Sequence, residues 1–465
     1  MKDISHNIKK VLVIFLLLFI ILISYIMYIY VVNGEKIETS ELNNRLWYER
    51  NATERGSILD RNKKVLVKSN GVKNETQTLN YLGGEAFAHA LGYMDSSYGL
   101  TGLQKIYDKE LMGKIDGKFN PMNKAGVKRG YNLVTTLDFE LQKKASELLG
   151  DRKGSVVALD PSTGEVLAIV SKPSYDPNNL KSQWKTLNSD KNRPLLNRST
   201  AGLYPPGSIF KVITAASALE NISGIQNKVF QDNGVLRFND KYSISNYKGA
   251  VLGGVDLRKA FEKSSNVVFG QLGMDLGNAK LKGSSEKFFF NKNIPAEGLV
   301  IENSKFPELK NKGDIAQSAI GQSSVLTTPI EMALVAQTIA NEGKYMKPVM
   351  VKEVVTDSNK NIKSYKSEIL GEPISGSNAK LIKTYMRDVV KQGTGKRAAL
   401  GGIEVCGKTG TAEHLENAES HSWFMGFAPY DKPKIAFAVL VEEGGTGGTV
   451  AASISKELVR TYLQR

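Results

Sequence analysis

Three short stretches of the 465-residue chain combine side chains able to carry out acyl transfer. The first is Ser208-Ile209-Phe210-Lys211, a hydroxyl and an amine three residues apart. On a helix such a pair shares one face, so the lysine can reach the serine hydroxyl. Apolar walls disfavour the ammonium form and leave an amine that acts as a base toward serine. The spacing alone says little, because Ser-x-x-Lys recurs at Ser182, Ser245, Ser284, Ser377 and Ser453. The ordinary reading of any one copy is a serine cap followed by a lysine that snorkels to solvent. Context separates Ser208 from the rest. Tyr204-Pro205-Pro206-Gly207 forces an irregular entry, and Val212, Ile213, Ala215, Ala216 and Leu219 continue an apolar helix. The serine thus opens a buried helix, where unpaired N–H groups favour a developing negative charge.

The second stretch is Ser264-Ser265-Asn266. Its hydroxyl and amide, two residues apart, could relay a proton and hold a peptide amide, although a helix break or cap would look the same. The third is Lys408-Thr409-Gly410-Thr411, the one Lys-Thr-Gly in the chain. On a strand Lys408 and Gly410 share a face. Gly410 would admit the backbone of an extended peptide substrate, and a lysine with threonine hydroxyls suits a substrate carboxylate. Alone, the tripeptide reads equally well as an edge strand whose lysine discourages aggregation.

These stretches need elements to hold them. Short apolar runs predict strands over 155–159 and 166–170, joined by the turn Asp160-Pro161-Ser162-Thr163-Gly164, and over 403–407, 423–428 and 435–441. Helical spacing predicts helices over 209–219, 257–276, 329–340, 378–392 and 450–463, and one over 138–149 with Asp138 as its cap. Strands near both ends of residues 151–465 with helices between them imply an α+β domain, one antiparallel sheet flanked by helices. Residues 33–150 form a smaller, Gly-punctuated module with a short strand at 65–67.

Residues 11–32 carry no charge and would span about 33 Å as a helix, enough to cross a bilayer core. They end in an aromatic boundary rather than a small-residue cleavage site, which argues for one transmembrane helix over a signal peptide. Lys2, Lys9 and Lys10 against Asp3 place the tail of residues 1–10 in the cytoplasm and the rest of the chain outside the membrane. Lys and Arg number 62 against 47 Asp and Glu, a net charge of +15. That is a soluble Lys-rich surface or an attraction to an anionic wall; nucleic acid is disfavoured, with no basic-aromatic recognition motif present. A single cysteine, Cys406, rules out an intrachain disulfide and reads as a small core residue. Four histidines without metal-ligand spacing, His414 and His421 among them, disfavour a zinc hydrolase, so no metal is expected.

Taken together, the three stretches supply a nucleophile, a base, a proton relay and a carboxylate anchor. In that combination the chain resembles the class B, monofunctional penicillin-binding proteins. Further matching stretches occur in order: Arg55-Gly56 with Asp60-Arg61, Thr135-Thr136-Leu137-Asp138 with Gln142, Asp160-Pro161 with Thr163-Gly164-Glu165, Arg198, Gly321-Gln322 with Thr328-Pro329, and Trp423-Phe424 with Gly426-Phe427-Ala428-Pro429. Gln104 departs from the family, which commonly has Glu there.

The resemblance implies a penicillin-binding, serine β-lactamase-like transpeptidase domain over 151–465, with a small N-terminal pedestal module over 33–150. It implies a peptidoglycan D,D-transpeptidase acting on D-Ala-D-Ala stem peptides and trapped by β-lactams, with no cofactor. Ser208 would be the nucleophile, Lys211 the base, Ser264 the proton relay, and Lys408 an electrostatic tuner of Ser264. Asn266, Thr409, Gly410 and Thr411 would bind substrate. A separate membrane glycosyltransferase of the shape, elongation, division and sporulation type is the implied partner, with Arg55, Gly56, Asp60 and Arg61 marking a stretch whose disruption would lower the activity of the pair. The Lys-, Asn- and Ile-rich composition suggests a bacterial exported protein, and the short module resembles compact Gram-positive members. A D,D-carboxypeptidase or serine β-lactamase would use the same serine, the latter with a water-activating glutamate sought among Glu297, Glu302, Glu308 and Glu331. A β-lactam-binding scaffold or sensor is the non-enzymatic alternative.

Overall fold

The computed structural model describes residues 2–33, 44–74, 76–115, 118–119, 128–238, 242–413 and 419–464; His414 lies outside them. The N-terminal run forms a helix, Lys2–Tyr28, continued by a wider turn over Ile29–Asn33. Residues His6–Val32 are long and apolar enough to cross a membrane: their most apolar 18-residue stretch has mean hydropathy 3.0, and none of it is buried in the protein.

The larger domain is built on a five-stranded antiparallel sheet in the order Val166–Lys172, Gly154–Leu159, Ile435–Val441, His421–Ala428, Cys406–Ala412. The central strands are apolar on both faces because both are covered. One face packs on the helices Phe139–Leu149 and Val450–Leu463 through Leu141, Ala145, Ile454 and Leu458. The other meets Pro329–Ala340, which is buried along its whole length. Asp138 caps its helix as expected, accepting from the Leu141 N–H at 2.9 Å.

Three departures from the expected elements bear on the site. The helix expected over 257–276 is two, Leu257–Lys263 and Asn266–Lys287, broken where Ser264 takes a left-handed conformation, φ 58°. The serine helix begins as a 3₁₀ turn, Gly207–Phe210, and becomes α-helical at Lys211–Asn221. The strand expected over 403–407 is displaced to Cys406–Ala412. Its neighbour ends at Ala428 before Pro429, and ahead of Cys406 the ladder is reduced to one backbone bond, from the Tyr430 N–H to the Glu404 carbonyl at 2.9 Å.

The division expected at residue 150 does not partition the sheets. A six-stranded sheet runs Asn361–Ser364, Val351–Val355, Asn132–Thr135, Ile58–Leu59, Val65–Lys73, Thr76–Tyr81, so two strands of the pedestal come from far along the chain. One hydrophobic core also runs through both parts, from Ile58 to Leu440. The stretch whose disruption is expected to lower the activity of the pair is largely turned inward. Arg55 is buried, donating to Gln104 Oε1 at 2.6 Å and Asp108 Oδ1 at 2.7 Å. Asp60 is buried and folds its own turn by accepting from the Asn62 and Lys64 amides. Only Arg61 of the charged set keeps a sizeable exposed area, while pairing with Glu165 at 3.3 Å.

Candidate active site

The three stretches meet in one place. Gly207 has φ 56° and its N–H donates to the Gly321 carbonyl at 2.8 Å. A Cβ there would stand 2.4 Å from the Thr411 carbonyl oxygen, so only glycine lets the serine turn lie against the edge strand. The turn is pinned from behind: Trp423 Nε1 donates to the Pro205 carbonyl at 3.1 Å, and the Tyr204 hydroxyl and Arg198 Nε both donate to Glu442 Oε1 at 2.7 Å. Ser208 sits half-buried at the head of this turn.

Lys211, one turn on, is fully buried. Its Nζ donates to the Ser264 carbonyl at 2.7 Å, to Ser264 Oγ at 3.3 Å and to Asn266 Oδ1 at 2.7 Å. The lysine expected to reach toward Ser208 is thus anchored on the broken helix, and the left-handed turn at Ser264 aims that residue's carbonyl and hydroxyl at it. Lys408 comes from the opposite side, also fully buried, and donates to Ser264 Oγ at 2.8 Å. Two amines therefore share one serine hydroxyl. Burial lowers the Lys211 ammonium well below its ordinary value, and the neighbouring Lys408 charge lowers it further, while Asp232 opposes the shift. Burial alone brings Lys408 down to about 7. A neutral amine beside a hydroxyl is what general-base activation needs.

The other expected site residues are placed less simply. Asn266 is occupied at both ends of its amide, since Nδ2 donates to the Ser245 carbonyl at 2.8 Å; one N–H remains for a ligand. Thr409 is buried and its hydroxyl pairs at 2.7 Å with that of Thr394, a loop residue that no local pattern singles out. Thr411 is half-buried and accepts from the Gly447 N–H at 3.3 Å, leaving its own O–H to donate. Gly410 does admit a close approach, but by the serine turn itself: a Cβ would lie 3.0 Å from Ile209 Cγ2 and from the Pro206 carbonyl.

Glutamates that could activate water are engaged elsewhere. Glu297 accepts from the Tyr107 hydroxyl, and Glu308 pairs with Lys282 and Asn278 on the surface. Glu302 is exposed. Glu331 is sealed inside against the Tyr345 hydroxyl at 3.0 Å, where burial pushes its carboxyl up to about 8. Cys406 is buried in the core and burial pushes its thiol up, which suits packing rather than reactivity. Among the described residues no group of three or more His, Cys, Asp or Glu is arranged to hold a metal.

Comparison with known proteins gives the same picture. The chain is 32% identical to the peptidoglycan D,D-transpeptidase PbpA of Mycolicibacterium smegmatis over 99% of both chains. It is 29% identical to the peptidoglycan D,D-transpeptidase MrdA of Acinetobacter baumannii, over 92% of this chain and 72% of that one. The ceftriaxone acyl-enzyme complex of penicillin-binding protein A from M. tuberculosis superposes with a TM-score of 0.83 at 30% identity, covering 90% of this chain and all of the other. Residues 154–460 match the penicillin binding protein transpeptidase domain. With that match over most of its length, and two buried amines converging on one serine hydroxyl, the chain belongs to the penicillin-binding protein transpeptidase family.

Proposed function

We propose that the protein is a peptidoglycan D,D-transpeptidase that cross-links stem peptides through a Ser208 acyl-enzyme. The observation that carries this reading is the convergence of Lys211 and Lys408 on Ser264 Oγ, at 3.3 and 2.8 Å. Neutral Lys211 takes the Ser208 proton as Oγ attacks the carbonyl carbon of the penultimate D-Ala. The oxyanion is received by the backbone N–H groups of Ser208 and Thr411. The proton passes from Lys211 through the Ser264 hydroxyl to the departing amine of the terminal D-Ala, with Lys408 holding Ser264 Oγ in line. Asn266 gives its remaining N–H to the donor peptide, and Thr409 and Thr411 receive the terminal carboxylate, with Gly410 keeping the strand against the serine turn. An amine of a neighbouring stem peptide then attacks the acyl-enzyme and releases Ser208. β-Lactams enter as mimics of D-Ala-D-Ala.

The N-terminal helix anchors the protein, with its Lys-bearing tail in the cytoplasm and the pedestal and catalytic domain outside. A separate membrane glycosyltransferase supplies the glycan strands. Nearly full-length similarity to a compact relative, against 72% coverage of the longer Acinetobacter one, supports a compact, Gram-positive-type enzyme.

Labelling of the full-length protein in detergent by a fluorescent penicillin tests the reading, with Ser208→Ala as comparison. A stable label that the substitution abolishes supports the transpeptidase. A label lost within seconds points to a hydrolase, and no label on folded protein leaves a non-catalytic scaffold.

A further inference from the structure

Between the serine helix and the Ser264 turn, residues 230–238 and 242–255 contribute two small two-stranded sheets, pairing Phe230–Asp232 with Gly253–Val255 and Val235–Arg237 with Ser243–Ser245. Two polar residues of this insert are buried beside the site, Asp232 completely and Asn246 to 6% exposure. Asn246 Oδ1 accepts from the backbone N–H groups of Asn266 at 2.8 Å and Val267 at 3.2 Å, the first donors of the helix Asn266–Lys287. Its Nδ2 donates to both oxygens of Asp232, at 2.8 and 2.9 Å, and to the Ala250 carbonyl. Asp232 Oδ2 also accepts from Ser265 Oγ at 2.6 Å, and Oδ1 from the Gly234 N–H at 2.9 Å. Each of these partners of the carboxylate is neutral.

We infer that Asp232 and Asn246 are positioning residues for the reaction: they clamp residues 264–266 in the left-handed turn that presents Ser264 and Asn266 to Lys211, and Asp232 supplies the negative charge facing that lysine. The geometry favours this role over plain packing. The clamp grips the second serine and the backbone of Asn266, so the Asn266 side chain stays turned toward Lys211 and Ser245. A buried carboxylate is costly unless it is hydrogen-bonded and paired, and here the bonded partners of Asp232 are all neutral. The charged groups facing Lys211 are Lys408 from the edge strand, which lowers the lysine, and Asp232 from the insert, which raises it. Asp232 thus limits how far burial and Lys408 drive the base down. The inference rests on the reading of Ser208 as nucleophile and Lys211 as base.

The test follows the second-order rate of acylation by a fluorescent penicillin between pH 5 and 9, using full-length wild type, Asp232→Asn and Asn246→Ala, with Ser208→Ala as blank. Removing the Asp232 charge lowers Lys211 further, so the acid limb of the profile moves to lower pH by roughly half a unit or more. Asn246→Ala frees two helix N–H groups and the Ser264 turn, and acylation at pH 7 falls by about tenfold or more. A folded Asp232→Asn whose acid limb stays in place overturns the inference. If that variant does not fold, Asn246→Ala decides: acylation at the wild-type rate overturns it too. Wild type that takes no label contradicts the nucleophile assignment instead, which separates the two failures.

Discussion

Lys408 Nζ lies 2.8 Å from Ser264 Oγ although the two residues are 144 positions apart, and this contact joins the edge strand to the break between two helices. It holds the amine in a site without water-exposed surface, which has a thermodynamic signature. The folded-state value of about 7 lies below the ordinary 10.5. Between those limits the unfolded chain binds the proton and the folded one does not, so stability rises with pH from about 7 to about 10.5. Lys408→Met removes this slope. The stability of wild type relative to the variant should climb by a few kcal/mol across that window, at about 1.4 kcal/mol for each pH unit crossed. Thermal melts of both proteins in detergent from pH 6.5 to 10 check this; a constant difference would contradict it.

Gly207 is the point at which two backbones touch. Gly207→Ala must place a methyl 2.4 Å from the Thr411 oxygen in a left-handed conformation. The conformation alone costs about 1–2 kcal/mol, and relief of the clash pushes the edge strand from the serine turn. The expected result is a lowered Tm together with a loss of penicillin labelling of about a hundredfold or more. Retention of wild-type labelling would mean the oxyanion donors do not depend on this approach.

Thr394 pairs with Thr409 hydroxyl to hydroxyl, at 2.7 Å. Thr394→Val keeps the shape and removes the partner, so the Thr409 hydroxyl loses its fixed direction. Binding of a β-lactam carboxylate should weaken by about fivefold to tenfold, the value of one hydrogen bond, with the limiting acylation rate changed less. Stopped-flow acylation over a range of antibiotic concentrations separates the two.

The pedestal contains an imbalance that a single substitution can correct. Gln104 accepts from Arg55 through Oε1, but its Nε2 is buried with no partner, as is Nη1 of Arg50 nearby. Asp108 is the acid that both arginines share, at 2.7 Å from each. Gln104→Glu replaces the orphaned donor by an oxygen and supplies a second negative charge to the arginine pair. The expected gain is about 1 kcal/mol, read as a Tm increase with unchanged acylation. A fall in Tm would show that the added charge is not compensated.

Much of the candidate site was legible because its residues reside in local strings that the structure brings together. Ser208, Lys211, Ser264 and Lys408 lie within patterns whose meaning comes from their joint presence, and most of the strands around them read as short apolar runs, buried on both faces in the structure. What the sequence concealed is of another kind. Serine does not announce a left-handed turn as glycine would, so residues 257–276 read as one helix with a break at Ser264 only as an alternative, although that break presents Ser264 and Asn266 to Lys211. Gln231-Asp232-Asn233-Gly234 looks like any polar turn, and only tertiary burial turns Asp232 into a support. Val351–Val355 joins the pedestal through pairing with Asn132–Thr135 more than two hundred residues away, a register no local window contains.

That last pairing also governs how the protein must be made. Asn132–Thr135 lies between Ile58–Leu59, synthesised early, and Val351–Val355, synthesised late. Likewise Gly154–Leu159 has Val166–Lys172 on one side and must wait for Ile435–Val441 on the other. With the topology proposed above, the chain emerges on the far side of a membrane in that order. Asn132–Thr135 keeps one side unpaired until Val351–Val355 arrives, and Gly154–Leu159 until Ile435–Val441 does. Unpaired edges invite association with other chains. A nascent or truncated form that lacks these late strands is therefore exposed to aggregation and proteolysis until they arrive.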